Sequence, residues 1–260
     1  MRYLLLLGFL VRNAWCSSVI VNQVNKIDAA NLNTASSVTV SPDGKNVYAV
    51  AYSSKSIVHW DRDSATGALS NQVNKIDAAN LNGARSVTVS PDGKNVYAVA
   101  AFSKSIVHWD RDNVTGALSN QVNKIDAANL NYATSVTVSP DGKNVYAVAY
   151  SSKSIVHWDR NSSTGALSNQ VNMIDAANLN GAWSVTVSPD GKNVYAVTGD
   201  SDSIVHWDRG NLDACGLFEG GDKCLVSNGG TLVVQADCGT SLESANRIQL
   251  EARYSSFCTE

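Results

Sequence analysis

Hydrophobic and polar positions alternate along this chain in short runs, and no stretch keeps a helical period. Between Ser86 and Ile125 the runs are SVTVS (Ser86 to Ser90), NVYAVA (Asn95 to Ala100), SIVHWD (Ser105 to Asp110) and ALSNQVNKI (Ala117 to Ile125). They are rich in Val, Ile, Tyr, Trp and Thr, which suit a pleated and half-buried surface, so they predict four β-strands, a, b, c and d. Turn chemistry separates them. Pro91-Asp92-Gly93-Lys94 presets a hairpin between a and b, Thr115-Gly116 marks a turn between c and d, and the longer polar segment Asp126 to Thr134 leads to the next a strand.

This unit repeats. SPDGKN recurs at Ser41, Ser90, Ser139 and Ser188 with a constant period of 49 residues, which suits one blade of a propeller. The expected fold is therefore all-β, a β-propeller of four four-stranded blades. In an up-and-down blade the d–a and b–c loops emerge on one face, and the a–b and c–d loops on the other. The fourth a-b-c set ends at Ser203 to Asp208 without a d strand, while a lone d-type run, Val19 to Ile27, precedes the first a strand. The strand balance predicts that this N-terminal run closes the last blade and hides its edge.

The run Ser37 to Ser70, SVTVSPDGKNVYAVAYSSKSIVHWDRDSATGALS, resembles the repeats of the YVTN and lactonase-like β-propellers, with SPDGK, a following hydrophobic-Tyr pair and an aspartate-ending strand before T-G-A-L. It also resembles WD40 repeats through SPDGK and Trp60-Asp61, but the Gly-His before strand a is missing, so the lactonase-like side is closer. The resemblance covers residues 19 to 209. It implies a propeller fold, and it leaves activity open, because such propellers include sugar-lactone hydrolases and binding proteins. Lactonase-like propellers usually have seven blades, whereas four repeats stand here. A closed four-bladed ring, two chains completing an eight-bladed ring and an incomplete gene product all accommodate four, and the strand balance favours the first.

The two ends differ from the repeats. Arg2, the apolar run Leu4 to Val11 and the small residues Ala14 and Cys16 read as a signal peptide over residues 1–16, cleaved before Ser17, and imply a secreted protein. The apolar run is too short to span a membrane. Residues 17–209 hold the repeats and residues 210–260 a tail with Cys215, Cys224, Cys238 and Cys258. An even set in an exported chain predicts two disulfides of undetermined connectivity. With no C-x-x-C pair and no tail histidine, zinc is a poor fit there. A formal net charge of −3 supplies no basic field for nucleic acid or anionic lipid.

Candidate chemistry is sparse. His59, His108, His157 and His206 share one position of strand c, too far from the axis to meet on one ion, and read as structural beside Trp60, Trp109, Trp158 and Trp207. The d–a loops repeat D-x-x-N-x-N from Asp28, Asp77, Asp126 and Asp175, an oxygen set that could hold calcium or simply cap the turns. No catalytic set unique to one blade stands out. Differences among the repeats concentrate on the d–a/b–c face, at Arg85, Tyr132, Trp183, Asp200 and Asp202, which mark the expected ligand-binding surface. The c–d loops instead carry sequons at Asn113 and Asn161. The favoured reading is a secreted, non-enzymatic module, monomeric or a ring-completing dimer, that binds a protein or carbohydrate through this face. The alternatives are a lactonase-like hydrolase and a structural repeat protein.

Overall fold

The computed structural model describes residues 24–209 and, as backbone alone, two strands of the tail. Blade one comprises β1 (Ala35–Val40), β2 (Asn46–Ala51), β3 (Ser56–Arg62) and β4 (Leu69–Ile76). Blade two comprises β5 (Ala84–Val89), β6 (Asn95–Ala100), β7 (Ser105–Arg111) and β8 (Leu118–Ile125). Blade three comprises β9 (Ala133–Val138), β10 (Asn144–Ala149), β11 (Ser154–Arg160) and β12 (Leu167–Ile174), and blade four β13 (Ala182–Val187), β14 (Asn193–Thr198) and β15 (Ser203–Asp208). Each blade is one antiparallel sheet in chain order, and the predicted runs a to d fall on these strands. The tail contributes a hairpin, β16 (Cys224–Asn228) with β17 (Thr231–Gln235).

The a–b hairpin is closed by its own side chains. Gly44 sits at φ 70°, a conformation open to glycine without a Cβ penalty, and its N–H reaches the Ser41 carbonyl at 2.8 Å. Ser41 Oγ donates to Asp43 Oδ1, which also accepts the Lys45 N–H. The same bonds recur at Ser90, Ser139 and Ser188.

Alternation of side chains makes both faces of each inner blade apolar, because each is covered by a neighbour. Tyr48, Val50 and Ile57 of blade one pack against Leu81, Ala84, Val87, Val89, Trp109 and Leu118 of blade two. Equivalent clusters join blades two and three, and three and four. The a strands β1, β5, β9 and β13 follow one another along the inner side.

An arginine ties each pair of blades together. From the end of β7, Arg111 donates through Nε to Tyr48 Oη, through Nη2 to both Asp43 oxygens and Asn46 Oδ1, and through Nη1 to the Gly93 carbonyl and Asn113 Oδ1. Arg160 repeats the clamp on Tyr97, Asp92 and Asn95, and Arg209 reaches Asp141 and Asn144. Burial raises the Asp43 carboxyl, but bonds from Ser41 and Arg111 outweigh it and hold it at about 2. Burial pushes the Tyr48 and Tyr97 phenols up to about 12, so each stays a neutral partner of its arginine.

The described residues form an open arc, and the expected closing strand, Val19 to Ile27, lies largely outside them. Among the described residues the fourth sheet has three strands; residues 24–27 belong to no strand element, and residues 19–23 lie outside the described part. Val38 and Val40 of β1 are 67% and 50% exposed, whereas their equivalents Val87 and Val89 are 5% and 9% exposed. Among the described residues no apolar cluster joins blade four to blade one.

Candidate ligand site on the inner side of the arc

The a strands carry a β-bulge at one repeated position, occupied by Ser36, Arg85, Thr134 and Trp183. A bulge leaves its residue out of the ladder and re-aims the side chain, a device common beside binding sites. Ser36 and Thr134 use it to donate to the next blade's Ala84 and Ala182 carbonyls, at 2.7 and 2.8 Å. Arg85 and Trp183 cannot make that short bond, and their side chains line a cavity instead.

The cavity, about 250 Å³, is lined by Ser36, Ser37, Arg85, Ser86, Thr134, Ser135, Trp183 and Ser184. Ser37, Ser86 and Ser135 accept the N–H of Val87, Val136 and Val185 at 3.2 Å, which leaves each hydroxyl hydrogen available to a ligand. A second hollow of about 330 Å³ adjoins it between Tyr132, Tyr150, Ser151 and Trp183.

Arg85 is held by rings from other blades. Its guanidinium carbon lies 4.6 Å from the Tyr52 ring centre, 5.0 Å from Tyr132 and 5.6 Å from Trp183, and Nη2 donates to Tyr132 Oη at 2.5 Å. Its Nε is the one buried side-chain nitrogen or oxygen without a partner among the described residues. An aromatic band continues across all four blades, with centroid spacings of 5.2 Å from Tyr52 to Phe102, 5.9 Å to Tyr132, 5.7 Å to Tyr150 and 6.4 Å to Trp183. Tyr132 holds φ at 59° where blades two and four have Gly83 and Gly181 at 74° and 72°, so this ring is placed at a cost in backbone strain.

Of the residues expected to bind, the structure brings Arg85, Tyr132 and Trp183 together. Asp200 lies against the Gly181 backbone and near the Tyr150 hydroxyl, whose pKa it raises. Asp202 is exposed, in the left-handed turn position held elsewhere by Lys55, Lys104 and Lys153. Sequence reasoning missed the rings of Tyr52, Phe102 and Tyr150 and the serines Ser37, Ser86, Ser135 and Ser184. The serines were visible as an invariant S-V-T-V in every repeat, read there only as strand.

The remaining candidates sit elsewhere. The oxygens of Asp28, Asp77, Asp126 and Asp175 accept the backbone and side-chain N–H of Asn31, Asn80, Asn129 and Asn178, which caps each d–a turn. No group of three metal-ligating side chains occurs among the described residues. Asn113 and Asn161 stand exposed in the c–d loops, and Asn113 lies close to Gly93 of an a–b turn, as expected for that face. The signal segment and Cys215, Cys238 and Cys258 lie outside the described residues, and Cys224 opens β16.

The histidines are structural in three blades. His59, His108 and His157 face Tyr48, Tyr97 and Tyr146 across the sheet, with ring centres 5.7, 5.7 and 5.6 Å apart. Burial lowers the pKa of each below its ordinary 6.5. The unfolded chain therefore takes up protons first as pH falls through about 6.5, and stability is lost from there downward, while the depressed aspartates keep their contribution above their ordinary 3.8 and lose it as pH falls further. We expect the urea midpoint to be level from pH 8.5 to 7.5 and to drop by pH 5; a midpoint level throughout would count against this.

The model of the family described as Lactonase, 7-bladed beta-propeller, matches residues 18–133. No curated protein shows significant similarity. Among solved structures, a candidate 6-phosphogluconolactonase from Bacteroides uniformis is 24% identical over 68% of this chain and 51% of its own, with a TM-score of 0.56. The periplasmic gluconolactonase PpgL from Pseudomonas aeruginosa is 20% identical over 68% and 50%, with a TM-score of 0.57. A protein from Lactobacillus plantarum is 19% identical over 69% and 52%, with a TM-score of 0.58. The chain spans about half the length of each, and at these identities the likeness concerns the fold. By its repeats, its sheets and the match over residues 18–133, this chain is a β-propeller repeat protein similar to the lactonase-like propellers.

Proposed function

We propose that the inner cavity takes a sugar lactone and that the protein hydrolyses it. The observation that carries this is Arg85: a guanidinium fixed over three rings in a cavity lined by serine hydroxyls. Such a group donates to a carbonyl oxygen, and more strongly to the oxyanion formed when water attacks the carbonyl carbon. The ring C–O bond then breaks, the alkoxide takes a proton, and the hydroxy acid leaves with its carboxylate beside the same arginine. Hydroxyls of Ser37, Ser86 and Ser135 suit the sugar's own hydroxyl groups. The lactonase-family match, which includes Arg85, supports this reading over a purely binding role.

The test is proton release from glucono-δ-lactone, at constant pH, above the buffer rate. Arg85→Thr installs the residue that blade three carries at this position, so the variant should fold. Its kcat/KM should fall by about 100-fold or more, the range for removing one oxyanion donor. Hydrolysis equal to the buffer rate with the unaltered protein would overturn the proposal. The exposure of Trp183 and Phe102, 53% and 52%, favours a second reading as a carbohydrate-binding rim. Gluconate binding by calorimetry without turnover would identify that case.

A further inference from the structure

We infer that the two open ends of the arc are the two halves of one more blade interface, and that a second copy of this chain occupies both, closing a ring of eight blades.

The apolar halves match the interfaces already inside the chain. Blade four ends the arc with Tyr195, Val197 and Ile204, the repeat equivalents of Tyr48, Val50 and Ile57. Val197 and Ile204 are 43% and 69% exposed, against 0% and 1% for Val50 and Ile57. Blade one begins it with Val38 and Val40, whose equivalents in blades two and three are buried against the preceding blade. What one end lacks, the other end carries.

The polar halves match as well. In blades two and three the clamp arginine is buried and grips a tyrosine, an aspartate and an asparagine of the blade before it. Arg62, the clamp residue of blade one, is half-buried and makes one described bond, to its own blade's Gly44 carbonyl at 3.0 Å. The tyrosine, aspartate and asparagine it would grip are Tyr195, Asp190 and Asn193, at the far end of the arc. Asp190 is exposed and bonded to Ser188 and Lys192, with no arginine on it among the described residues. Gly67 repeats the relation: its equivalents Gly116 and Gly165 lie against Asn46 and Asn95 of the preceding blade, while Gly67 has nothing within 4 Å.

A second copy fits better than any unrelated partner for two further reasons. Blades alternate in type, since the bulge residue is small and hydroxylated in blades one and three and large in blades two and four. A blade one placed after blade four keeps that alternation, as blade three does after blade two. The arc also superposes on about half of larger propellers, and the family whose model matches is described as seven-bladed, a turn of about 51° per blade; eight blades need about 45°, a change of about 6° per interface. The contact is head-to-tail, and two copies related by a two-fold axis satisfy both seams at once.

The experiment is sedimentation equilibrium on the full chain at micromolar concentration, where the expected mass is twice that of one chain. Arg62→Glu alone and Asp190→Arg alone should each weaken self-association by about tenfold or more, with circular dichroism unchanged because both residues lie at the open ends. Mixing the two variants should restore a 1:1 dimer. In that pair one seam is native and the other carries the reversed charges in complementary order, which a face-to-face dimer would not reproduce. A single chain mass for the unaltered protein, as when another segment of the same chain covers the ends, would overturn the inference. So would dimerisation insensitive to both variants, or a mixture that stays monomeric.

Discussion

Arg111→Ala is expected to destabilise the folded chain by about 3–5 kcal/mol, the range for removing one partner of a buried ion pair. The guanidinium is fully buried against Asp43, whose carboxylate is about one-third exposed. Its loss also leaves Tyr48 Oη and Asn46 Oδ1, both inside the interface between blades one and two, without their donor. For a chain of this size the change should lower Tm by about 10 °C or more. Arg62→Ala is the matched comparison, since within one chain it removes one bond to a carbonyl. Measured by thermal unfolding at dilutions where a single chain mass is found, Arg62→Ala should cost about 1 kcal/mol or less. Equal losses in the two variants would show that the clamp does not hold the blades together.

Trp109→Ala should cost a similar amount, about 3–5 kcal/mol, through the cavity it leaves. Trp109 is fully buried in the cluster shared by blades one and two, and its indole N–H donates to Gln121 Oε1 at 2.9 Å. Trp109→Phe keeps much of the volume but removes the donor and should cost less than the alanine change. Trp207, its equivalent in blade four, is only partly buried and its indole N–H lies 3.2 Å from the Met173 sulfur. Trp207→Ala should therefore destabilise the single chain clearly less than Trp109→Ala. Urea unfolding that ranks the two alanine variants in the opposite order would contradict the packing described.

Much of the fold was legible because its determinants are local. Period-2 alternation in NVYAVA and SIVHWD, proline and glycine in SPDGK, and one spacing repeated four times specify strands, hairpins and blade boundaries without reference to distant residues. The grouping of loops on two faces followed from the up-and-down order. Part of the site was legible for a different reason: where repeats agree everywhere else, a departure such as Arg85 or Trp183 is not explained by a shared core.

The rest depended on how blades meet. Arg111 and Asp43 stand 68 residues apart, and nothing within one repeat marks them as partners. The cradle of Arg85 takes Tyr52 from blade one, Tyr132 from blade three and Trp183 from blade four, and the bulge that aims it is a matter of register between β5 and β6. The sequence by itself determined the strands, the turns and the period of the blade repeat, because those follow from interactions between near neighbours. How neighbouring blades pack was decided by the tertiary structure, because it depends on the angle between packed sheets, a property of side-chain volumes across an interface.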